Sequence, residues 1–127
     1  MMLEIYIGLS AIIGLVVIFD GYVVVKNNGV VETNQIIVLT TTIEFVWAIV
    51  SVFALFTLNF QQWQILIPVL YLTHNIIGWV YGVLLVSKLP KEPVNKVMVL
   101  LWYAKFGFNF GVVFTLACGF ILYQMYL

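Results

Sequence analysis

The chain has 127 residues, 65% of them hydrophobic and only 8% charged, and its five basic and five acidic side chains cancel to zero net charge. Soluble domains carry about 45–50% apolar and about 25% charged residues, and a chain this short cannot hide such an apolar excess from water. Composition therefore excludes a soluble globular domain, the lack of a basic stripe excludes a nucleic-acid binder, and the partner implied is the lipid bilayer.

About 20 apolar residues in a helix cross roughly 30 Å of hydrocarbon. Four stretches meet that length, over residues 3–25, 35–58, 63–87 and 97–126. A transmembrane barrel needs strands of alternating polarity, whereas these runs are apolar on every face. The expected fold is all-α: a polytopic membrane protein forming an antiparallel four-transmembrane-helix bundle, with residues 1–127 as a single transmembrane domain.

The first helix carries Glu4 where a signal peptide has basic residues, and it runs through Asp20 and Tyr22 without a small-residue cleavage site, so it is expected to be a mature helix. Asp20 lies near its end, close enough to water or Lys26 to be a solvated helix-end residue, or else to line an inner vestibule. The turn formers Asn27, Asn28 and Gly29 follow. On the second helix Thr40, Thr41, Glu44, Ala48 and Ser51 make a polar and small stripe at helical spacing.

A short connection, 59–62, leads to the third helix, where Pro68 is expected to kink the chain near the start and Asn75, Gly78 and Gly82 share a stripe beside His74. The third connection, 88–96, holds Pro90 and Pro93. On the fourth helix Lys105 and Asn109 stand at i and i+4 and so on one side. Short polar connections make consecutive helices antiparallel neighbours.

Lysine placement predicts orientation. Lys26, Lys88, Lys91 and Lys96 fall in the first and third connections, while the second connection and both ends of the chain carry no lysine or arginine. The positive-inside rule puts the lysine-bearing loops in the cytoplasm of a cell inner or plasma membrane and both termini outside. So one-sided a bias favours a parallel homo-oligomer over an antiparallel dimer.

A rise of about 1.5 Å per residue then puts Glu44 roughly 13 Å and Lys105 roughly 12 Å below the cytoplasmic ends of their helices, Asp20 at roughly 8 Å, and Asn75 and Asn109 near 18 Å. An ionisable side chain in hydrocarbon is costly and turns away from lipid. The expectation is an intramembrane polar cluster of Asp20, Glu44, His74, Asn75, Lys105 and Asn109, with Glu44 and Lys105 paired. Gly78 with Gly82 and Gly107 with Gly111 are the expected helix-packing positions.

Each of these groups has a structural and a functional reading. A Glu44–Lys105 pair serves as packing glue or as a proton- or substrate-linked site, and the better the two charges neutralise each other, the weaker the functional reading becomes. His74, the single histidine, is a proton-transfer candidate or a neutral ring bonded to Asn75, Asn109 or a helix carbonyl. It points to no metal site and leaves the cofactor unknown, because haem ligation by two histidines needs a second one from another chain and zinc needs several more ligands. The deeper rings, Trp47 and Trp79 among them, serve packing or line a pocket for a quinone, sterol, pigment or organic cation.

No phosphate loop, zinc cluster or nucleophile elbow is present, so an enzyme is not expected. Two functions remain. The first is a non-catalytic subunit of a larger membrane complex, partnered by other membrane subunits. The second is a small oligomeric proton- or cation-linked transporter or channel using Glu44 and His74.

Overall fold

A computed structural model describes residues 2–32, 35–87 and 96–126. Four helices account for most of them: α1 (Met2–Lys26), α2 (Gln35–Thr57), α3 (Leu66–Val86) and α4 (Leu101–Tyr126). All four are long and apolar enough to cross a membrane. Most of their exposed side chains are apolar, and in lipid a backbone must satisfy its own hydrogen bonds, which the helix does. The bundle is antiparallel: Tyr6 and Ser10 at the start of α1 meet Ser51 and Trp47 late in α2, while Gly21 near the end of α1 meets Phe108 early in α4.

Residues 97–100 are not the start of the fourth helix. Lys96–Met98 form a short strand, β2, paired antiparallel with β1 (Val30–Glu32), Val30 opposite Met98 and Glu32 opposite Lys96. The turn that ends α1 sets this up. Asn28 (φ 57°) and Gly29 (φ 91°) adopt left-handed backbone, so the Gly29 N–H reaches back to the Val24 carbonyl at 2.8 Å and the Asn28 N–H to Val25 at 3.0 Å. This is a Schellman stop, which uses up orphan carbonyls at the helix end. The Gly29 carbonyl then accepts the Val99 N–H at 2.8 Å, and a Cβ on Gly29 would collide with the Val99 carbonyl. The third connection, with Pro90 and Pro93, lies outside the described residues apart from Lys96.

The expected kink at Pro68 also takes another form. A single 3-10 turn over Gln62–Ile65 precedes α3, so Pro68 sits in the helix's first turn, where its missing N–H costs nothing.

Packing is uneven along the bundle. The core cluster joins Tyr6, Ile7 and Ile13 of α1, Ala48 and Ala54 of α2, Ile67 and Tyr71 of α3, and Phe114, Cys118 and Ile121 of α4. All of these come from the half remote from the β1–β2 ribbon. Hydrogen bonds reinforce that half: Tyr6 Oη to Ser51 Oγ at 2.6 Å, Trp47 Nε1 donating to Ser10 Oγ at 3.0 Å, and Tyr71 Oη donating to the Glu44 backbone carbonyl at 2.8 Å. Towards the ribbon α1 and α4 stay in close contact, and α3 reaches α4 through the stacked rings of Tyr81 and Tyr103, 3.9 Å apart, and through the Leu100 N–H donated to Tyr81 Oη at 2.9 Å.

The α1–α4 contact depends on glycines that the sequence pattern singles out only in part. A Cβ on Gly21 would stand 2.7 Å from the Phe108 backbone, one on Gly111 2.9 Å from Ile18, and one on Gly14 would overlap Thr115. Of the four expected packing glycines, Gly111 alone behaves this way. Gly82 and Gly107 have nothing within 4 Å, and Gly78 meets only the Tyr103 hydroxyl. Gly21→Ala and Gly111→Ala are therefore expected to lose about 1–3 kcal/mol by overpacking. Gly82→Ala and Gly107→Ala should leave the melting temperature in detergent near that of the wild type, and an equal loss at all four positions would contradict the packing described.

Candidate functional site

Where the core thins towards the ribbon, α1, α2 and α3 each turn one ionisable side chain inward. Asp20 comes from α1 one residue before the glycine that lets α4 approach, so its backbone is held close to α4. Glu44 lies at mid-height on α2, and its carbonyl is the one that Tyr71 anchors to α3. The Asp20 and Glu44 carboxyl groups are near enough to interact, and the Thr40 hydroxyl stands near Asp20 while donating its one proton to the Ile37 carbonyl at 3.1 Å. One Asp20 oxygen, Oδ1, is buried with no partner.

His74 completes the group from α3. Its ring stacks on Phe110 with centroids 4.0 Å apart and planes 5° from parallel, and Phe106 lies 5.7 Å away. Nδ1 is buried and makes no hydrogen bond, so the ring is held by aromatic packing rather than by Asn75 or Asn109. Asn75 instead donates to the Tyr71 carbonyl at 2.8 Å, a bond within its own helix.

Two cavities meet at these residues. The larger, of about 610 Å³, opens between α2 and α3 and is bordered by Glu44, Phe45, His74, Asn75, Trp79 and Tyr103 among others. The smaller, of about 170 Å³, is lined by Asp20 on α1 and by Val31 and Val99 of the ribbon region. Glu44, His74 and Tyr103 border both, and so form the partition between them.

The structure thus brings together four of the six expected cluster residues, Asp20, Glu44, His74 and Asn75, and separates the other two. Lys105 and Asn109 do share one side of α4, but that side is exposed. No ion pair joins Lys105 to Glu44, whose carboxyl faces Asp20 instead. The depth count is also revised: α4 begins at Leu101, so Lys105 is about 6 Å into the helix rather than about 12 Å. A lysine tilts toward the N-terminus of its helix and can carry its ammonium to the interface along an apolar stem.

The opposite-charge rule points to Lys105 as the partner of Glu44, and the sequence pattern places Asp20 in the same cluster without pairing it to Glu44. The missed signal was Asp20 directly before Gly21, a glycine seven residues from Gly14 on the same face. The partition residue Tyr103 and the Tyr6, Ser10 and Trp47 network were also not singled out as a set. Among the described residues, no three His, Cys, Asp or Glu side chains are grouped to hold a metal ion.

Fold and site together define a class: a bundle of four membrane-length helices whose interior holds a carboxyl pair and an imidazole at the junction of two cavities. The chain matches no protein-family profile, and neither a curated protein nor a solved structure shows significant similarity to it.

Because Lys105 faces outward, Lys105→Met is expected to change stability by no more than about 0.5 kcal/mol. Glu44→Gln should melt at or above the wild-type temperature, since it replaces one of two facing acids by a neutral isostere. A large loss in both variants, restored in the double variant, would instead reveal an ion pair between them.

Proposed function

We propose that this protein is a small proton- or cation-linked membrane transporter in which Glu44 and Asp20 are the exchanging carboxyl groups. One observation carries this reading: the interior acid Glu44 stands by another acid, and no cation among the described residues neutralises them. The case for a purely structural role was self-neutralisation by Lys105, and that case lapses. Two carboxyl groups can hydrogen-bond to each other only with a proton on one of them, and two carboxylates so close repel unless a cation comes between.

The groups facing the pair are His74 from α3, Tyr103 from α4, and Thr40 from α2 itself. No lysine or arginine is among them, so the charge balance of the site is open to an exogenous cation. The partition formed by Glu44, His74 and Tyr103 suits a carrier, because it divides a cavity between α2 and α3 from one lined by α1, α4 and the ribbon region. The lysine distribution supports a cytoplasmic location for the ribbon end.

The other reading, a non-catalytic subunit of a larger complex, draws its support from the outward Lys105 and Asn109, which a second chain could cover. A heteromeric complex that survives mild detergent and is lost in Lys105→Met would favour it.

The decisive measurement is proton and sodium flux into liposomes containing the purified chain, driven by an imposed membrane potential and read by an internal pH dye and by radioactive sodium. Wild-type flux is expected to exceed that of protein-free liposomes several-fold, Glu44→Gln and Asp20→Asn to fall to about a tenth or less, and Lys105→Met to retain it. Flux equal to that of empty liposomes would sink the transport reading.

A further inference from the structure

The larger cavity has no outer wall. Gly78 and Trp79 border it and also border a shallow trough of about 730 Å³ that continues along α3 past Gly82. Nothing lies within 4 Å of a Cβ built on Gly82, so the missing side chain leaves open apolar space on a lipid-facing surface. At the other end of the same hollow stands Glu44, and beyond it Asp20, whose Oδ1 is a buried acceptor without a donor. Between the two ends the rings of Phe45 and Trp79 face each other with centroids 6.0 Å apart and planes inclined by 55°.

From the outside inward, the order is thus an apolar trough, aromatic faces and carboxyl groups. Each part selects a ligand property. The trough takes a hydrocarbon chain, the ring faces attract a cation by their quadrupoles, and a carboxylate takes the ammonium's N–H donors. A quinone has no donor for a carboxylate, a sterol hydroxyl brings no positive charge to balance the acids, and an anionic amphiphile would be repelled by both. A metal cation would need a shell of six or more oxygen ligands and would make no use of the trough. A volume of about 610 Å³ falls within the roughly 300–1,000 Å³ of small-molecule sites.

We infer that the cavity binds an amphipathic amine taken sideways from the lipid, its ammonium group between Trp79 and Glu44 and its alkyl chain in the trough beside Gly82. The inference rests on the carboxyl pair of the transport reading and adds to it the class of substrate and the direction of access.

The test is equilibrium binding to the full chain in lipid nanodiscs, with empty discs as background. Three radiolabelled probes are compared: N,N-dimethyldodecylamine, uncharged dodecanol, and the short-chain N,N-dimethylbutylamine. The long amine is expected to bind at least about ten-fold more tightly than either of the others, and Glu44→Gln to lose about ten-fold or more of that affinity. Trp79→Leu and Gly82→Leu should each weaken the long amine several-fold while melting at the wild-type temperature, which separates loss of the site from loss of fold.

Dodecanol binding as tightly as the amine, or unchanged binding in Glu44→Gln, would overturn the inference. Equal affinity for the short amine would overturn access from the lipid, since the ligand would then come from water. Amine binding without flux in liposomes would refute transport and leave the ligand class standing. Glu44-dependent flux without amine binding would do the reverse.

Discussion

The close contact of α1 with α4 is the constraint from which the rest of the bundle follows. In a bilayer no hydrophobic force draws apolar helices together, so contact depends on how nearly the backbones approach. Gly14, Gly21 and Gly111 allow an approach that a single methyl group would prevent. The other pair is attached at the remote end by the core around Tyr71 and Phe114 and by the bonds Tyr6–Ser51 and Trp47–Ser10. Towards the ribbon α3 is joined to α4 by the Tyr81–Tyr103 stack, and between α2 and α3 opens the cavity at which Glu44 and His74 stand. The polar site and the uneven packing are one fact seen from two sides.

The site's chemistry depends in turn on where each helix turns its ionisable residue. Asp20 is drawn inward because Gly21 brings that part of α1 against α4, and Glu44 faces it across the bundle. His74 is oriented by Phe106 and Phe110, neighbours on α4 that leave its Nδ1 without a partner. Aromatic packing thus positions a polar ring, where a hydrogen bond would both position it and satisfy it. The ribbon region lines the smaller cavity through Val31 and Val99, and the ribbon's register is pinned by the positive-φ turn at Gly29.

The four spans were legible in the sequence because bilayer thickness imposes a length on apolar runs that no other environment requires. The ribbon was not, since three-residue strands have no local signal apart from their pairing partner, and Val97 and Met98 read equally well as the first turn of a helix. Helical spacing correctly put Lys105 and Asn109 on one side of α4, but spacing cannot say which side faces inward. Opposite charge then suggested a pairing that the geometry does not make. Asp20 was legible as a polar residue near a helix end and illegible as a partner for Glu44, because its placement depends on the long-range approach of Phe108 to Gly21. Gly78 and Gly82 show the same limit: small residues at a four-residue interval mark either a contact or a hollow, and only the neighbouring helix distinguishes them.

The outward lysine bears directly on the interior acids. An ammonium group about 6 Å into a helix, on a flexible four-carbon stem leaning toward the helix N-terminus, can reach headgroup phosphates at little cost. A carboxylate on the short side chain of Asp20 has no such route when its helix is locked against α4. The same depth is therefore tolerable for a lysine facing lipid and costly for an aspartate facing the bundle. With the lysine placed outside, no cation among the described residues compensates the two acids within. In the transport reading proposed above, a proton or a larger cation from elsewhere supplies the opposite charge, and the open side of the cavity is its way in.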